Sequence, residues 1–291
     1  MTEAPPGLQI GRDRRPGRLG ILAGGGELPG LLIRRCREQG RPFHVIAFEG
    51  HAGRALAEVA PLRWVRLGAA AEILGELRKA EIEEVVFAGK IERPSLSELR
   101  PDWRSALFLA RIGGRLLSDN RLLTAIVREL EGEGFRVVGP ADIAADLLAR
   151  PGAYGRLAPD ESEARAIAAG FAAAREHGRR DLGQAVVVQG ERLLDREGPD
   201  GTDALIARCA ARQQGGTGAI LVKARKPQQE MRADPPVVGP GTLERAAAAR
   251  YRGIAVEAGG VLVMDPGDLA AAADAAGMFL VGVDLGVDLP S

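Results

Sequence analysis

A chain of 291 residues exceeds what usually closes around one core, so two domains of about 130–150 residues each are expected. Lys plus Arg and Asp plus Glu balance at 39 each, which excludes a global field drawing the protein toward nucleic acid or acidic membranes and leaves only local charge effects. Only Cys36 and Cys209 occur, far apart, so neither a disulfide framework nor a thiolate metal site is expected and a reducing cytosol is the fitting compartment.

Residues 1–17 carry Pro5, Pro6, Pro16 and Gly17 with Arg12, Arg14 and Arg15 but no apolar core, and are expected to be a disordered leader, not a secretory signal. No apolar run approaches the roughly 20 residues that span a bilayer, so any membrane contact is peripheral. From Leu19 to Ala23 the pattern predicts a short buried strand, broken by Gly24, Gly25 and Gly26 before a helix bearing Leu28, Leu31, Leu32 and Cys36. Three glycines let a ligand approach the backbone, and a helix N-terminus beyond them favours a phosphate. Strands are predicted at Pro42 to Phe48 and Glu83 to Ala88, with a helix from Ala69 to Lys79 between them. This alternation indicates βαβ units and a Rossmann-like, doubly wound parallel sheet, with ligands at the carboxyl ends of its strands, where the glycine turn and Gly89-Lys90 both fall.

Gly24-x-Gly26 followed by Glu49 is part of a dinucleotide fingerprint, but Pro29 occupies the position of its third glycine. A nicotinamide-dependent oxidoreductase therefore stays open as an alternative. Trp103 to Leu117 reads as a helix with Arg104, Arg111 and Arg115 on one face and Leu107, Phe108 and Ile112 on the others, suited to a domain core or to acyl chains at a membrane interface. Ser118 or Asp119 caps a helix carrying Leu122, Leu123, Ile126, Val127 and Leu130. Phe135 to Val138 is a strand and Ala141 to Leu148 a short helix.

Proline and glycine concentrate between Arg150 and Asp160, which sets the domains at 18–150 and 161–291 with a linker at 151–160. The second domain is also read as mixed α/β, with a helix from Glu161 to His177, strands at Ala185 to Val188, Ile254 to Glu257, Val261 to Met264 and Phe279 to Val281, a helix capped at Thr202 or Asp203, one from Leu243 to Tyr251 capped by Thr242, and one from Asp268 to Ala276. The helix start at Thr202 can cap or bind an anion, and Glu197 and Asp203 can hold a hard cation. Between Leu221 and Gly239 a strand runs into Lys223, Arg225, Lys226, Glu230, Arg232 and Asp234, bracketed by Pro227, Pro235 and Pro236. Prolines stiffen this stretch against helix and central strand, leaving a rigid surface loop fit for a phosphorylated substrate and a metal, or simply a solvated charged loop.

His44, His51 and His177 have no carboxylate or cysteine at metal-ligand spacing, and neither a Walker loop nor a Gly-x-Ser-x-Gly elbow occurs. What remains suits magnesium-assisted chemistry on a phosphate ester or anhydride.

Ordered matches along nearly the whole chain then resemble the UDP-2,3-diacylglucosamine pyrophosphatase family of lipid A biosynthesis, LpxI type. They are LGILAGGGELP from Leu19, GKIERPSLSELRPD from Gly89, the Asp119 helix, GFRVVG from Gly134, DLGQAVVV from Asp181, EGPDGTDALI from Glu197, LVKARKPQQEMRADPPVVGPGT from Leu221, and GIAVEAGGVLV from Gly253. The resemblance implies two domains enclosing the substrate, hydrolysis of UDP-2,3-diacylglucosamine at the α-phosphorus to UMP and 2,3-diacylglucosamine 1-phosphate, and a divalent metal, Mg2+ or Mn2+. It places the catalytic aspartate at Asp234; on this reading Asp234 positions a metal or the attacking water, and Lys223, Arg232 and Lys90 are expected to neutralise charge on the diphosphate. It puts substrate contacts at Gly24, Gly25, Gly26, Lys90, Asp119, Gln184 and Thr202, and metal contacts at Asp234, Glu230, Asp203 and Glu197. Glu230 stands where relatives carry an aspartate, Pro235 replaces an apolar residue, and the helix after Ser118 begins Asp-Asn where relatives often show Asp-Asp. The implied partner is an acylated UDP-glucosamine lipid, with no nucleic acid, met by a cytoplasmic protein touching the inner membrane peripherally and able to form a homodimer. A non-catalytic nucleotide-sugar sensor is the remaining alternative.

Overall fold

A computed structural model describes residues 17–91, 101–112, 119–215 and 218–286. Residues 1–16 of the expected leader and most of the proline-rich run after Ile91 lie outside these residues. The first sheet holds β1 (Leu19–Ala23), β2 (Phe43–Phe48), β3 (Leu62–Val65), β4 (Glu84–Ala88) and β5 (Arg136–Val138), all parallel, in the order β3-β2-β1-β4-β5. That order is the doubly wound one expected. Strands β1 and β4 are buried at every position, which is why they read as continuous apolar runs and not as alternating ones.

Helices α1 (Leu28–Glu38), α2 (Leu56–Val59), α3 (Ala70–Lys79), α4 (Trp103–Ile112), α5 (Asp119–Gly132) and α6 (Pro140–Ile143) belong to this half. Apolar layers form on both faces of the sheet. Leu31, Leu32 and Cys36 of α1 pack with Ile21 and Val45 on one side, while Leu74 and Leu77 of α3 pack with Leu22 and Ile46 on the other. The helix expected over Ala141 to Leu148 is split into α6 and a 3-10 turn at Ala145–Leu147.

The second sheet is mixed, in the order β6-β13-β11-β9-β7-β8. Its parallel centre is β9 (Ile220–Lys223), β11 (Gly253–Glu257) and β13 (Phe279–Val283); the antiparallel strands are β6 (Gly152–Ala153), β7 (Ala185–Gln189) and β8 (Arg192–Arg196). Strand β6 comes from the stretch expected to be a linker, pairing Ala153 with Val281. Helix α7 (Glu161–Arg179) covers one face, and α8 (Gly201–Ala210), α9 (Pro240–Ala248) and α10 (Pro266–Ala275) lie on the side of the other. Asp160 caps α7 by accepting the Glu163 N–H at 2.8 Å, and Glu163 returns the bond to the Asp160 N–H. Thr242 does not cap α9, which starts with Pro240 behind Gly239; a proline at the first helical position needs no donor there.

The two halves meet through packed side chains. Leu262, Met264 and Val237, from the short pair β10 (Val237–Val238) and β12 (Leu262–Val263), join the apolar cluster of α1 and α6. Arg34 on α1 bonds Asp265 at 3.0 Å across the same junction.

Candidate active site

The parallel strands deliver the second domain's functional residues to one edge. Strand β9 ends at Lys223, whose partner in the antiparallel register is Ala185, so Gln184 stands beside the same end. Strand β8 runs back alongside and ends at Arg196, placing Glu197 there too, and the following turn starts α8 at Thr202. Positions 184, 197, 202 and 223, scattered in sequence, thus converge at the carboxyl edge of β9.

Alternation along β9 points Leu221 and Lys223 to the α8 side and Val222 to α7. Lys223 is therefore buried, at 5% exposure. Its ammonium donates to the Val237 carbonyl at 2.9 Å and the Thr202 hydroxyl at 3.2 Å, and Thr202 donates in turn to Glu197 Oε1. The other carboxylate oxygen of Glu197 accepts the Gln184 N–H at 2.7 Å. Burial lowers the Lys223 pKa from its ordinary value, opposed by the negative charges of Glu197, Asp234 and Asp203. This is a positive charge held below the surface, acting through its field and its hydrogen bonds.

Thr202 is not the N-cap of α8; that position is Asp200, and Gly201 at φ +82° turns the chain into the helix. The freed hydroxyl becomes the link between Lys223 and Glu197. Asp203 is exposed and faces Arg245 at 3.5 Å.

The loop after β9 is fixed at several points. Lys226 bonds Asp181 at 2.6 Å, Gln228 donates to the Gly178 carbonyl at 2.9 Å, and Gln229 Nε2 bridges Gln184 Oε1 at 3.1 Å and the Asp234 carbonyl at 2.7 Å. A turn closes over Met231 to Ala233, with the Asp234 N–H donating to the Glu230 carbonyl at 2.9 Å. Asp234 is thereby presented at the surface on a backbone secured from both sides.

Arg232 binds both oxygens of Glu230, at 2.9 and 2.8 Å, and reaches Glu131 of α5 at 2.7 Å. These bonds hold the Glu230 carboxyl below its ordinary pKa and push the Arg232 guanidinium above its own. Arg232 ties the loop to the first domain, with Ala233 packed against that domain's core. Glu131, Gln229 and His177, whose Nε2 lies 2.6 Å from the Glu197 carbonyl, are the site's unforeseen members. Gln229 lies in the LVKARKPQQEMRADPPVVGPGT run, whereas Glu131 sits on an ordinary amphipathic helix with no local signal.

In the first domain the glycine turn does meet Gly89-Lys90. The Gly24 N–H donates to Ala88 O and Gly25 N–H to Lys90 O, each at 2.8 Å, and Lys90 N–H returns to Gly25 O at 2.9 Å. The contact requires glycine: a Cβ on Gly89, at φ +90°, would lie 2.2 Å from Gly25 O. The amides of Gly24 and Gly25, expected to face a phosphate, are consequently spent within the protein, whereas Gly26 and the Lys90 side chain are exposed. Asp119 opens α5, and its side chain lies outside the described residues.

The four carboxylates expected to hold a metal are not gathered. Glu230 is taken by Arg232 and Glu197 by Thr202 and Gln184, and among the described residues no group of three or more His, Cys, Asp or Glu stands as a cation cage. Among the described residues, then, the protein's own donors do not make up a divalent-ion site. Among the described residues, likewise, no helix is long and apolar enough to cross a membrane.

Two family models match consecutive parts of the chain, the LpxI N-terminal domain over residues 18–147 and the LpxI C-terminal domain over residues 150–281. The chain belongs to the LpxI family. It is 36% identical over 274 residues to UDP-2,3-diacylglucosamine pyrophosphatase LpxI of Caulobacter vibrioides, covering 92% of this chain and 98% of that protein. Among solved structures, the CobK precorrin-6A reductase aligns over 94% of this chain and 90% of its own, at 14% identity and a TM-score of 0.34. The biotin carboxylase domain of Hydrogenobacter thermophilus 2-oxoglutarate carboxylase aligns over 60% and 35%, at 15% identity and a TM-score of 0.26. Likeness at that level carries no argument about this LpxI member.

Proposed function

We propose that this LpxI-family chain hydrolyses the diphosphate of UDP-2,3-diacylglucosamine. Water adds to the α-phosphorus, the bond from that phosphorus to the bridging oxygen breaks, and UMP and 2,3-diacylglucosamine 1-phosphate leave. The reading is supported by a relative of that name matched across both domains. The observation that carries it is Asp234, an exposed carboxylate on a loop pinned to both domains, with the buried Lys223 cation near enough to act on it. In this reading Asp234 orients the attacking water and takes its proton. Lys223, set behind Thr202 and Val237, keeps the local potential positive as charge builds on the phosphate, and its field is strong because it is shielded from water.

Arg232 acts by fixing the Asp234 turn to α5, a positioning role in place of the direct phosphate contact first expected. Gly26 and Lys90, exposed at the carboxyl edge of the first sheet, are the contacts proposed for the nucleotide-sugar. A divalent cation, Mg2+ or Mn2+, would supply charge neutralisation for the diphosphate, with Asp234 and Glu230 as the proposed protein contacts. Trp103 and Leu107, exposed and four residues apart on α4, are the surface proposed for the acyl chains and for peripheral contact with the cytoplasmic face of the inner membrane.

Hydrolysis in oxygen-18 water tests the reaction. Label recovered in UMP supports attack at the α-phosphorus; label in the lipid phosphate, or no cleavage with or without Mg2+ or Mn2+, refutes it.

A further inference from the structure

On the α7 side of the second sheet, three arginines converge on an open cleft of about 390 Å³, lined by Arg175, Arg179, Arg225, Pro227 and Glu257. Arg175 and Arg179 lie one turn apart on α7, and Arg225 comes from the chain just beyond β9. Glu257, the last residue of β11, is buried and lines the cleft. One of its oxygens accepts the Arg225 backbone N–H at 2.8 Å, which fixes the loop. The other is faced by Arg175 at 3.5 Å and by the Arg225 side chain at 3.8 Å, both longer than the roughly 2.7–2.9 Å of a direct charged hydrogen bond. Arg179 bonds Glu176 at 3.1 Å, a pair open to solvent that Arg180 shares. Three arginines therefore line this opening against the single lining carboxylate Glu257, with guanidinium donors left over.

We propose that this cleft is a second anion site, one that takes a phosphate group. Guanidinium forks match phosphate oxygens, and arginines arriving from two elements suit a tetrahedral anion better than a planar carboxylate. The cleft has room for more than a bare phosphate, so a phosphate bearing an organic substituent also fits it. It is separate from the proposed diphosphate centre, because Lys223 faces the α8 side of the sheet while the cleft opens against α7. Its ligand is a soluble phosphate monoester or the headgroup of an anionic lipid.

Titration calorimetry of the full chain with inorganic phosphate, beside flotation with phosphatidylcholine vesicles with and without phosphatidylglycerol, separates these sources. The wild type binds phosphate saturably in the millimolar range or better, or floats only with the anionic vesicles. The R175Q/R179Q double variant, and independently R225Q, weaken whichever binding is seen by at least about tenfold, as the loss of charged hydrogen bonds demands. R192Q, on the β7–β8 hairpin, leaves it unchanged. Asp234→Ala also leaves it unchanged while losing hydrolysis, so failure of the site and failure of the catalytic reading are distinguishable. Absence of both kinds of binding, or equal weakening by R192Q, overturns the proposal.

Discussion

Replacing Asp234 with alanine separates chemistry from folding at this site. The main-chain bonds that shape the turn, from the Asp234 N–H to Glu230 and from Gln229 to the Asp234 carbonyl, do not involve its side chain and survive the change. The loop's backbone frame survives the change, so the stability lost is the carboxylate's attraction for Lys223, on the order of 1 kcal/mol. The carboxylate is one of three negative groups that oppose the depression of the Lys223 pKa, so its removal lowers that pKa further without leaving a buried group unbonded. Loss of a positioned general base removes about 10²–10⁴-fold in turnover, or about 2.7–5.5 kcal/mol of transition-state stabilisation. Phosphorus NMR of UMP release, read beside urea unfolding, measures both quantities on one preparation. Asp234→Asn, which keeps the shape and loses the base, falls equally far. A variant that releases UMP at nearly the wild-type rate refutes the assignment; one that loses several kcal/mol of stability refutes the claim that the side chain is dispensable to the loop.

Because the folded pKa of Lys223 lies below its ordinary 10.5, the unfolded chain holds that proton more tightly. Its contribution to stability is complete above 10.5 and is lost as pH falls through the lowered value, by about 1.36 kcal/mol per unit of depression. Urea unfolding of wild type and Lys223→Met across that range checks this: their stability difference climbs in favour of the wild type as pH rises, and a flat difference contradicts it. Gly89→Ala meets the Gly25 carbonyl and a positive φ, and loses more than about 2 kcal/mol by thermal unfolding. Gly30→Ala, in α1 with open space at its Cβ, gains about 0.5–1 kcal/mol. Serine at Trp103 and Leu107 leaves the melting temperature in place and raises KM for the acylated substrate alone; an equal rise for a deacylated analogue argues against an acyl-chain surface.

Several elements were written locally. Strands β1, β4, β9 and β11 are short apolar runs bounded by glycine or charge, and α1, α5 and α7 carry helical periodicity, so pattern alone located them and the alternation of the first half implied a parallel sheet. Of the strands that escaped notice, β3, β6 and β8 lie at sheet edges, where LRWV, GA and RLLDR are partly solvated and have no apolar run, and β10 is only the two residues Val237–Val238. Their pairing partners, not their own residues, make them strands.

The charged run after Leu221 marked itself by composition, and its order of residues, matched to a family, singled out Asp234. What each neighbouring charge does was decided only by tertiary contacts. Strand direction buried Lys223 on the α8 face, the glycine turn gave two amides to Ala88 and Lys90, and Arg232 found Glu131 a hundred and one residues away. A sequence states which groups are available. Whether a lysine is a surface cation or a buried one, and whether an amide faces a ligand or a carbonyl, depends on which distant backbone folds against it, because burial and hydrogen-bond saturation are properties of the packed chain.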